Sequence, residues 1–129
     1  MLINLHTTHF CRVFVLNNEG QLITSWGSRG HGEGQFLCPV GIAFSHISDE
    51  LFIADKWRHC INVFNSEGSF IRQIGSKGKG FGHFISPEGL ATDKHGRIYV
   101  ADTCNNRVQV TYLILLLLFT FWGVIQDII

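Results

Sequence analysis

The chain has 129 residues, the size of one domain, and its ten basic side chains balance its ten acidic ones. This balance excludes a strong overall attraction to nucleic acids or membranes. Residues 1–55 hold two basic and five acidic side chains, whereas residues 56–110 hold eight basic and four acidic ones. Any positive field therefore comes from the second half of the chain.

Short runs of β-branched and aromatic residues alternate with turns rich in glycine, asparagine and aspartate, a pattern that predicts an all-β chain. In chain order, the expected strands are Arg12–Leu16, Gln21–Trp26, Val40–Phe44, Glu50–Ala54, Cys60–Phe64, Ser69–Ile74, Glu88–Thr92, Arg97–Ala101 and Arg107–Thr111. Three of the turns between them, Asn17–Gly20, Asn65–Gly68 and Asp93–Gly96, end in a glycine that tolerates a positive φ.

Two of the expected strands contain continuous apolar runs, Phe52–Ala54 and Ile98–Ala101. A strand with one face in water alternates apolar and polar residues, and these two runs do not. We therefore expect both strands to be covered on both faces of a sheet.

The expected elements recur with a period of 48 residues. Residues 27–43 read GSRGHGEGQFLCPVGIA and residues 75–91 read GSKGKGFGHFISPEGLA, with nine of the seventeen positions identical. Repeats of this length occur in folds in which one unit cannot bury its apolar face alone. Four strands per repeat predict the four-stranded antiparallel blades of a β-propeller, and a β-solenoid is the alternative. The repeated positions expected to be structural are Gly27, Phe36, Pro39, Gly41, Asp55, Gly75, Phe84, Pro87, Gly89 and Asp102.

The repeated pattern G-x-x-G-x-G-x-G-x-F-x-x-P-x-G-[IL]-A, followed by [FY]-[IV]-A-D and [IV]-x-V, resembles the NHL repeat. The resemblance covers about residues 12–111 and is greatest to the NHL propellers of the tripartite-motif ubiquitin ligases. Residues Asp102–Val110 are especially similar to that signature, whereas the first repeat has Cys60 where the second has Arg107. The resemblance implies a six-bladed propeller that binds protein or RNA, without a cofactor.

Measured against that fold, residues 12–27 are expected to be the last two strands of one blade. Residues 28–75 are expected to be one full repeat, and residues 76–111 an incomplete second repeat. A closed propeller needs at least four blades. We therefore expect a fragment, a truncated gene model, or a chain that completes its propeller by self-association or with partner chains.

The repeat stops at Thr111, and residues 112–129 form an apolar tail. Fourteen almost uninterrupted apolar residues, 112–125, are fewer than the roughly 20 that a membrane helix needs. Basic residues do not flank the run on its C-terminal side. Three interpretations stay open: unrelated sequence appended to the interrupted repeat, a membrane anchor, or a divergent fourth strand.

The four cysteines (Cys11, Cys38, Cys60 and Cys104) form neither a C-x-x-C pair nor a zinc-finger pattern. The start of the sequence, MLINLHTTHF, contains polar residues at short intervals, unlike a secretory signal. We therefore expect reduced thiols and a cytoplasmic location, with membrane anchoring through the tail as the alternative.

Two features of the repeat are similar to catalytic or cofactor sites. The glycine-rich loops 30–34 and 78–82 resemble phosphate-binding loops, but phenylalanine and proline follow them instead of a helix, so we expect connections between blades. Asp55 and Asp102 are expected to cap loops, with a metal site as the alternative. The seven histidines do not recur at matched positions, and the spacing indicates neither a metal site nor catalytic residues.

Basic and aromatic residues of the loops are the candidates for binding. Because propeller loops gather at the two ends of the blades, these cations can form one positive patch, which with Trp57 suits single-stranded RNA. A protein is the other expected partner. The predicted contact residues are Lys56, Trp57, Arg58, Lys77, Lys79 and Arg107. We expect a binding module, and the alternative from another class is a fragment of a metal-dependent propeller lyase or lactonase.

Overall fold

The computed structural model describes residues 2–6, 10–112 and 121–123, which form three antiparallel sheets. The first sheet contains β1 (Leu2–His6), β2 (Arg12–Leu16) and β3 (Leu22–Trp26). The second contains β4 (Pro39–Ser45), β5 (Glu50–Asp55), β6 (Cys60–Asn65) and β7 (Phe70–Ile74). The third contains β8 (Pro87–Thr92), β9 (Arg97–Asp102), β10 (Arg107–Tyr112) and β11 (Phe121–Gly123). One turn of 3₁₀ helix, Thr103–Asn105, joins β9 to β10.

The predicted all-β fold is confirmed, and every expected strand is present with its ends within one residue of the expected ones. Strand β1 was not predicted. It pairs with β2 so that His6 lies opposite Arg12. The third sheet has the same register, since Asp102 of β9 lies opposite Arg107 of β10. Strand β1 therefore takes the place in the first sheet that β5 and β9 take in the other two.

The second and third sheets stack through their first strands, β4 and β8. Thr92 on β8 donates a hydrogen bond from Oγ1 to the carbonyl oxygen of Phe44 on β4, at 2.8 Å. Gly41 on β4 permits this approach, because a Cβ atom there would lie 2.0 Å from the carbonyl oxygen of Glu88. The sheets are therefore packed like neighbouring blades of a propeller, with their first strands side by side.

Two apolar cores fill the spaces between the three sheets. The core between the first and second sheets contains Cys11, Val13, Phe36, Leu51, Ile53 and Phe64. The core between the second and third contains Phe52, Ala54, Ile61, Val63, Phe84, Ile98 and Val100. Successive residues of β5 enter opposite cores, which explains its continuous apolar run.

Strand β9 differs from β5 and from the prediction that both its faces are covered. Ile98 and Val100 are buried against the second sheet, but Tyr99 and Ala101, which alternate with them, are half-buried. Among the described residues, no further sheet packs on that outer face of the third sheet.

Three turns use the same side-chain geometry. In each, the side-chain oxygen of Asn17, Asn65 or Asp93 accepts hydrogen bonds from the backbone N–H groups two and four residues later. The glycine that follows has φ of 82° at Gly20 and 89° at Gly68, as the sequence predicted.

Part of the apolar tail lies in the third sheet. Phe121–Gly123 pairs with Val108–Val110 of β10. The equivalent stretch of β6, Ile61–Val63, pairs with β7. Strand β11 therefore takes the place in the third sheet that β7 takes in the second. Residues 113–120 and 124–129, on which the membrane-anchor prediction depends, lie outside the described residues. Helices long and apolar enough to cross a bilayer are absent from the part of the chain that the structure describes.

Candidate functional site

The two glycine-rich segments and the turns that enter the third strand of each blade lie at one end of the sheets. The segments are residues 27–38 and 75–86, and the turns are residues 56–59 and 103–106. Lys56 donates its backbone N–H to the carbonyl oxygen of Cys38, and Cys104 donates to that of Ile85. We call this end of the molecule the loop end.

Both glycine-rich segments fold in the same way. In the first, Phe36 donates its backbone N–H to Ser28 O at 2.9 Å, and Gly30 donates to Phe36 O at 3.0 Å. The second repeats both bonds 48 residues later, at Ser76, Gly78 and Phe84. The two phenylalanine side chains are buried and anchor each segment to a core between sheets.

Arg107 holds the second segment closed from inside. Its guanidinium donates to the carbonyl oxygens of Lys79 (2.7 Å), Gly80 (2.9 Å) and His83 (2.9 Å). Its Nε also pairs with Oδ2 of Asp102 at 2.8 Å, and the two side chains are 7% and 0% exposed. The arginine therefore serves as a cross-link within the loop end.

Arg58 performs the same task in the first segment from a different position in the repeat. Its guanidinium donates to the carbonyl oxygens of His31 (2.8 Å), Gly32 (3.1 Å) and Gln35 (2.6 Å). These acceptors are the residues 48 positions before Lys79, Gly80 and His83. Arg58 thus replaces the arginine that the first repeat lacks at Cys60.

The polarity of these loops is opposite to that of a phosphate-binding loop. A phosphate loop directs backbone N–H groups toward an anion. Here the backbone carbonyl oxygens converge on a cation, and they are occupied by the chain's own Arg58 and Arg107. The arrangement serves to connect blades.

The carboxylates of Asp55 and Asp102 are completely buried and hydrogen-bonded. Asp55 accepts backbone N–H groups from Leu37 (2.8 Å), Cys38 (2.9 Å) and Arg58 (3.2 Å). Asp102 accepts from the backbone N–H of Ile85 and from the side chains of Asn105, Arg107 and Gln109. Among the residues that the structure describes, no group of three or more histidine, cysteine, aspartate or glutamate side chains could hold a metal ion.

The turn 56–59 contacts the next blade as well as its own. Nδ1 of His59 accepts the backbone N–H of Ser86 at 3.0 Å, and Lys56 pairs with Glu88 at 2.8 Å. The hydrogen bond and the charge of Glu88 raise the pKa of Lys56. Arg58 donates to carbonyl oxygens of the first glycine-rich segment. The turn 56–59 is therefore bonded to both neighbouring glycine-rich segments.

The remaining predicted contact residues point outward at the loop end. Trp57 is 56% exposed, and Lys77 and Lys79 are exposed on the second segment. Phe81, which was not among the predicted contact residues, is 54% exposed on the same segment. The repeat could have identified Phe81 as an exposed residue, because it occupies the position that the charged Glu33 occupies in the first segment.

All four thiols are free, and three of them are buried. Burial raises the pKa of Cys60 to about 12 and raises those of Cys11 and Cys38 above the ordinary thiol value. Cys104 is exposed at the loop end.

Comparison with known proteins supports the repeat and the fold. A family model for the NHL repeat matches residues 84–110. Among solved structures, virginiamycin B lyase from Staphylococcus aureus, crystallised with selenomethionine, is similar with a TM-score of 0.55 and 11% sequence identity. The match covers 80% of this chain and 31% of that one, and at this identity it shows the fold alone. No curated protein matches the sequence significantly. The chain therefore carries an NHL repeat within a partial fold of the β-propeller type.

Proposed function

We propose that the chain is a recognition module that binds a protein partner through its loop end. The observation that carries the proposal is the exposure of Trp57 and Phe81 at this end, 56% and 54%, where Lys77 and Lys79 are also exposed. Aromatic residues are enriched at protein interfaces, and tryptophan is prominent among the residues that dominate their binding energy.

The support beneath Trp57 favours binding. Arg58 ties the turn to one glycine-rich segment, and His59 ties it to the other. A side chain presented on a backbone that is fixed on both sides loses less conformational entropy when it binds. Trp57 is therefore the residue on which we expect affinity to depend most.

Protein is favoured over RNA because much of the positive charge is already used within the molecule. Arg58 and Arg107 donate to backbone carbonyl oxygens, and Lys56 pairs with Glu88. Lys77 and Lys79 are left as exposed cations on the second segment, with Arg29 on the first. RNA binding is the other outcome that the experiment below distinguishes.

The resemblance to tripartite-motif ubiquitin ligases suggests what such a module would do. In that setting it would recruit a substrate for ubiquitin transfer, or take part in post-transcriptional regulation, with the chemistry supplied by other parts of the protein. The lyase or lactonase alternative requires carboxylates that are available to a metal. Asp55 and Asp102 are instead surrounded by hydrogen-bond donors of the chain.

The test compares two substitutions at residues with matched exposure. Ile47 is 57% exposed and lies on the turn between β4 and β5, at the opposite end of the sheets from Trp57. Immobilised wild-type, Trp57→Ala and Ile47→Ala chains would be exposed to cell extract with and without ribonuclease. We expect a ribonuclease-resistant protein to be retained by the wild type and by Ile47→Ala and lost from Trp57→Ala. Equal loss from both variants, or a signal removed by ribonuclease, would contradict protein recognition at the loop end.

A further inference from the structure

The outer face of the third sheet is apolar and, among the described residues, lacks the cover that the same face has on the second sheet. On the second sheet, this face consists of Phe52, Ala54, Ile61 and Val63, all at most 1% exposed beneath the third sheet. The corresponding residues of the third sheet are Tyr99, Ala101, Val108 and Val110, and all four are half-buried. Identical positions in the repeat are thus buried in one blade and accessible in the next.

The first sheet has the complementary open face. Val13 and Val15 of β2 are buried against the second sheet, whereas Phe14 and Leu16, which alternate with them, are half-buried. Leu22 on β3 lies opposite Leu16 and is 59% exposed. On the second sheet the counterparts of Leu16 and Leu22 are Phe64 and Phe70, which pack into the core next to the first sheet.

We propose that two copies of this chain join head to tail, with the outer face of the third sheet packed on the outer face of the first sheet of the other copy. The same pair of faces already meets twice within one chain, between the first and second sheets and between the second and third. Each copy therefore carries both halves of an interface whose packing is already present in the fold. The proposal is independent of ligand recognition at the loop end.

The number of sheets fits a closed pair. A head-to-tail contact forms a ring when its rotation closes, and otherwise an open chain of copies. Propellers close with four to eight blades. The described residues form three sheets per chain, so two copies supply six and three copies would supply nine. A pair covers both of the open faces that the described residues present, since the third sheet of each copy packs on the first sheet of the other.

The test uses the full chain and measures its mass in solution by light scattering and analytical ultracentrifugation over a range of concentrations. We expect a species of twice the 14.6 kDa chain mass. Ala101→Glu places a charge on one face, and Leu22→Glu places one on the other, so each is expected to leave only monomer. Ile71→Glu adds the same charge at a residue of β7 that is 44% exposed and outside both faces, so this control remains dimeric.

Mixing the two charged variants distinguishes head-to-tail pairing of the third and first sheets from pairing of two third sheets. In a mixed pair one interface is unaltered, so Ala101→Glu and Leu22→Glu together are expected to recover a dimer that neither forms alone. Thermal melts verify that each variant is folded, and Leu22 tolerates a charge in the monomer because it is already exposed. A wild type that is monomeric at every concentration would overturn the proposal. A dimer abolished by Ala101→Glu but unchanged by Leu22→Glu would overturn it too, since it would indicate two third sheets facing each other.

Discussion

At the residue scale, the two blades close equivalent glycine-rich segments with arginines from different places in the repeat. Arg107 starts β10, whereas Arg58 lies in the turn before β6, and each donates to three matching carbonyl oxygens. The sequence showed that Cys60 replaces arginine in the first repeat. It did not predict the compensation, because this depends on how far a side chain reaches across a turn.

Arg107 and Arg58 are expected to differ in their contribution to stability. Arg107→Ala leaves the buried carboxylate of Asp102 without its ion pair and is expected to cost about 3–5 kcal/mol in the free energy of unfolding. Arg58→Ala is expected to cost less, because Asp55 keeps its backbone N–H donors. Urea unfolding of both variants measures the difference. Equal losses would mean that the hydrogen bonds to backbone carbonyl oxygens, and not the ion pair, account for most of the stabilisation by each arginine.

Asn62 and Gln109 form a second informative pair, since they occupy the same position in the two blades. Gln109 donates to His83 O and Asp102 and accepts from the backbone N–H of Gly82, whereas Asn62 is fully buried with neither amide atom paired. Asn62→Gln is expected to stabilise the chain by about 1 kcal/mol, by reaching the corresponding backbone groups of the first segment. Gln109→Asn is the converse control and should destabilise it. A destabilising Asn62→Gln would mean that the longer side chain does not fit the core.

The cysteines predict a pH dependence with a definite sign. In the unfolded chain a thiol loses its proton near pH 9, whereas folded Cys60 retains it up to about pH 12. The folded state therefore binds more protons in this window, and stability is expected to fall as pH rises from about 9 to 12. The slope expected from Cys60 is about 1.4 kcal/mol per pH unit. Denaturation series at pH 8 and pH 10 measure it, with Cys60→Ser as control, and a stability that rises with pH would contradict the assignment.

At the element scale, the sequence predicted the strands and turns well because their signals are local. Short runs of β-branched and aromatic residues predict each strand, and Asn17, Asn65 and Asp93 with their glycines predict three turns. Strand β1 was missed because Leu2–His6 alternates weakly in sequence, although continuing the 48-residue period upstream from β5 would have placed a strand there. The prediction that both faces of β9 are covered required knowing how many sheets pack together, which no local pattern contains.

Two equivalent glycines test the packing of blades. A Cβ atom at Gly41 would lie 2.0 Å from the carbonyl oxygen of Glu88 on the neighbouring first strand, whereas at Gly89 the nearest atom is Cβ of Ala101 at 3.4 Å. Gly41→Ala is therefore expected to lower the melting temperature by several degrees, and Gly89→Ala to leave it nearly unchanged. Thermal unfolding by circular dichroism compares them. Equal shifts would show that the glycines matter for backbone conformation and not for the approach of the strands.

At the scale of the whole molecule, the repeat explains both the stability of the fold and the position of the candidate site. Its glycine, phenylalanine and aspartate residues build the connections between blades, and Trp57 and Phe81, at two positions that differ between the copies, are exposed at the loop end. The loop end could be located from the sequence. Which of its cations are engaged internally could not, because Arg58, Arg107 and Lys56 find partners far along the chain.

Photo-crosslinking from the loop end measures most directly whether this surface recognises a protein. A photoreactive amino acid placed at Trp57 would report what lies against that surface in cells, and the same residue at Ile47 would report on the opposite end. We expect a defined protein crosslink from position 57 that is absent from position 47 and resistant to ribonuclease. Crosslinks to RNA, or the same products from both positions, would contradict recognition of a protein by the loop end.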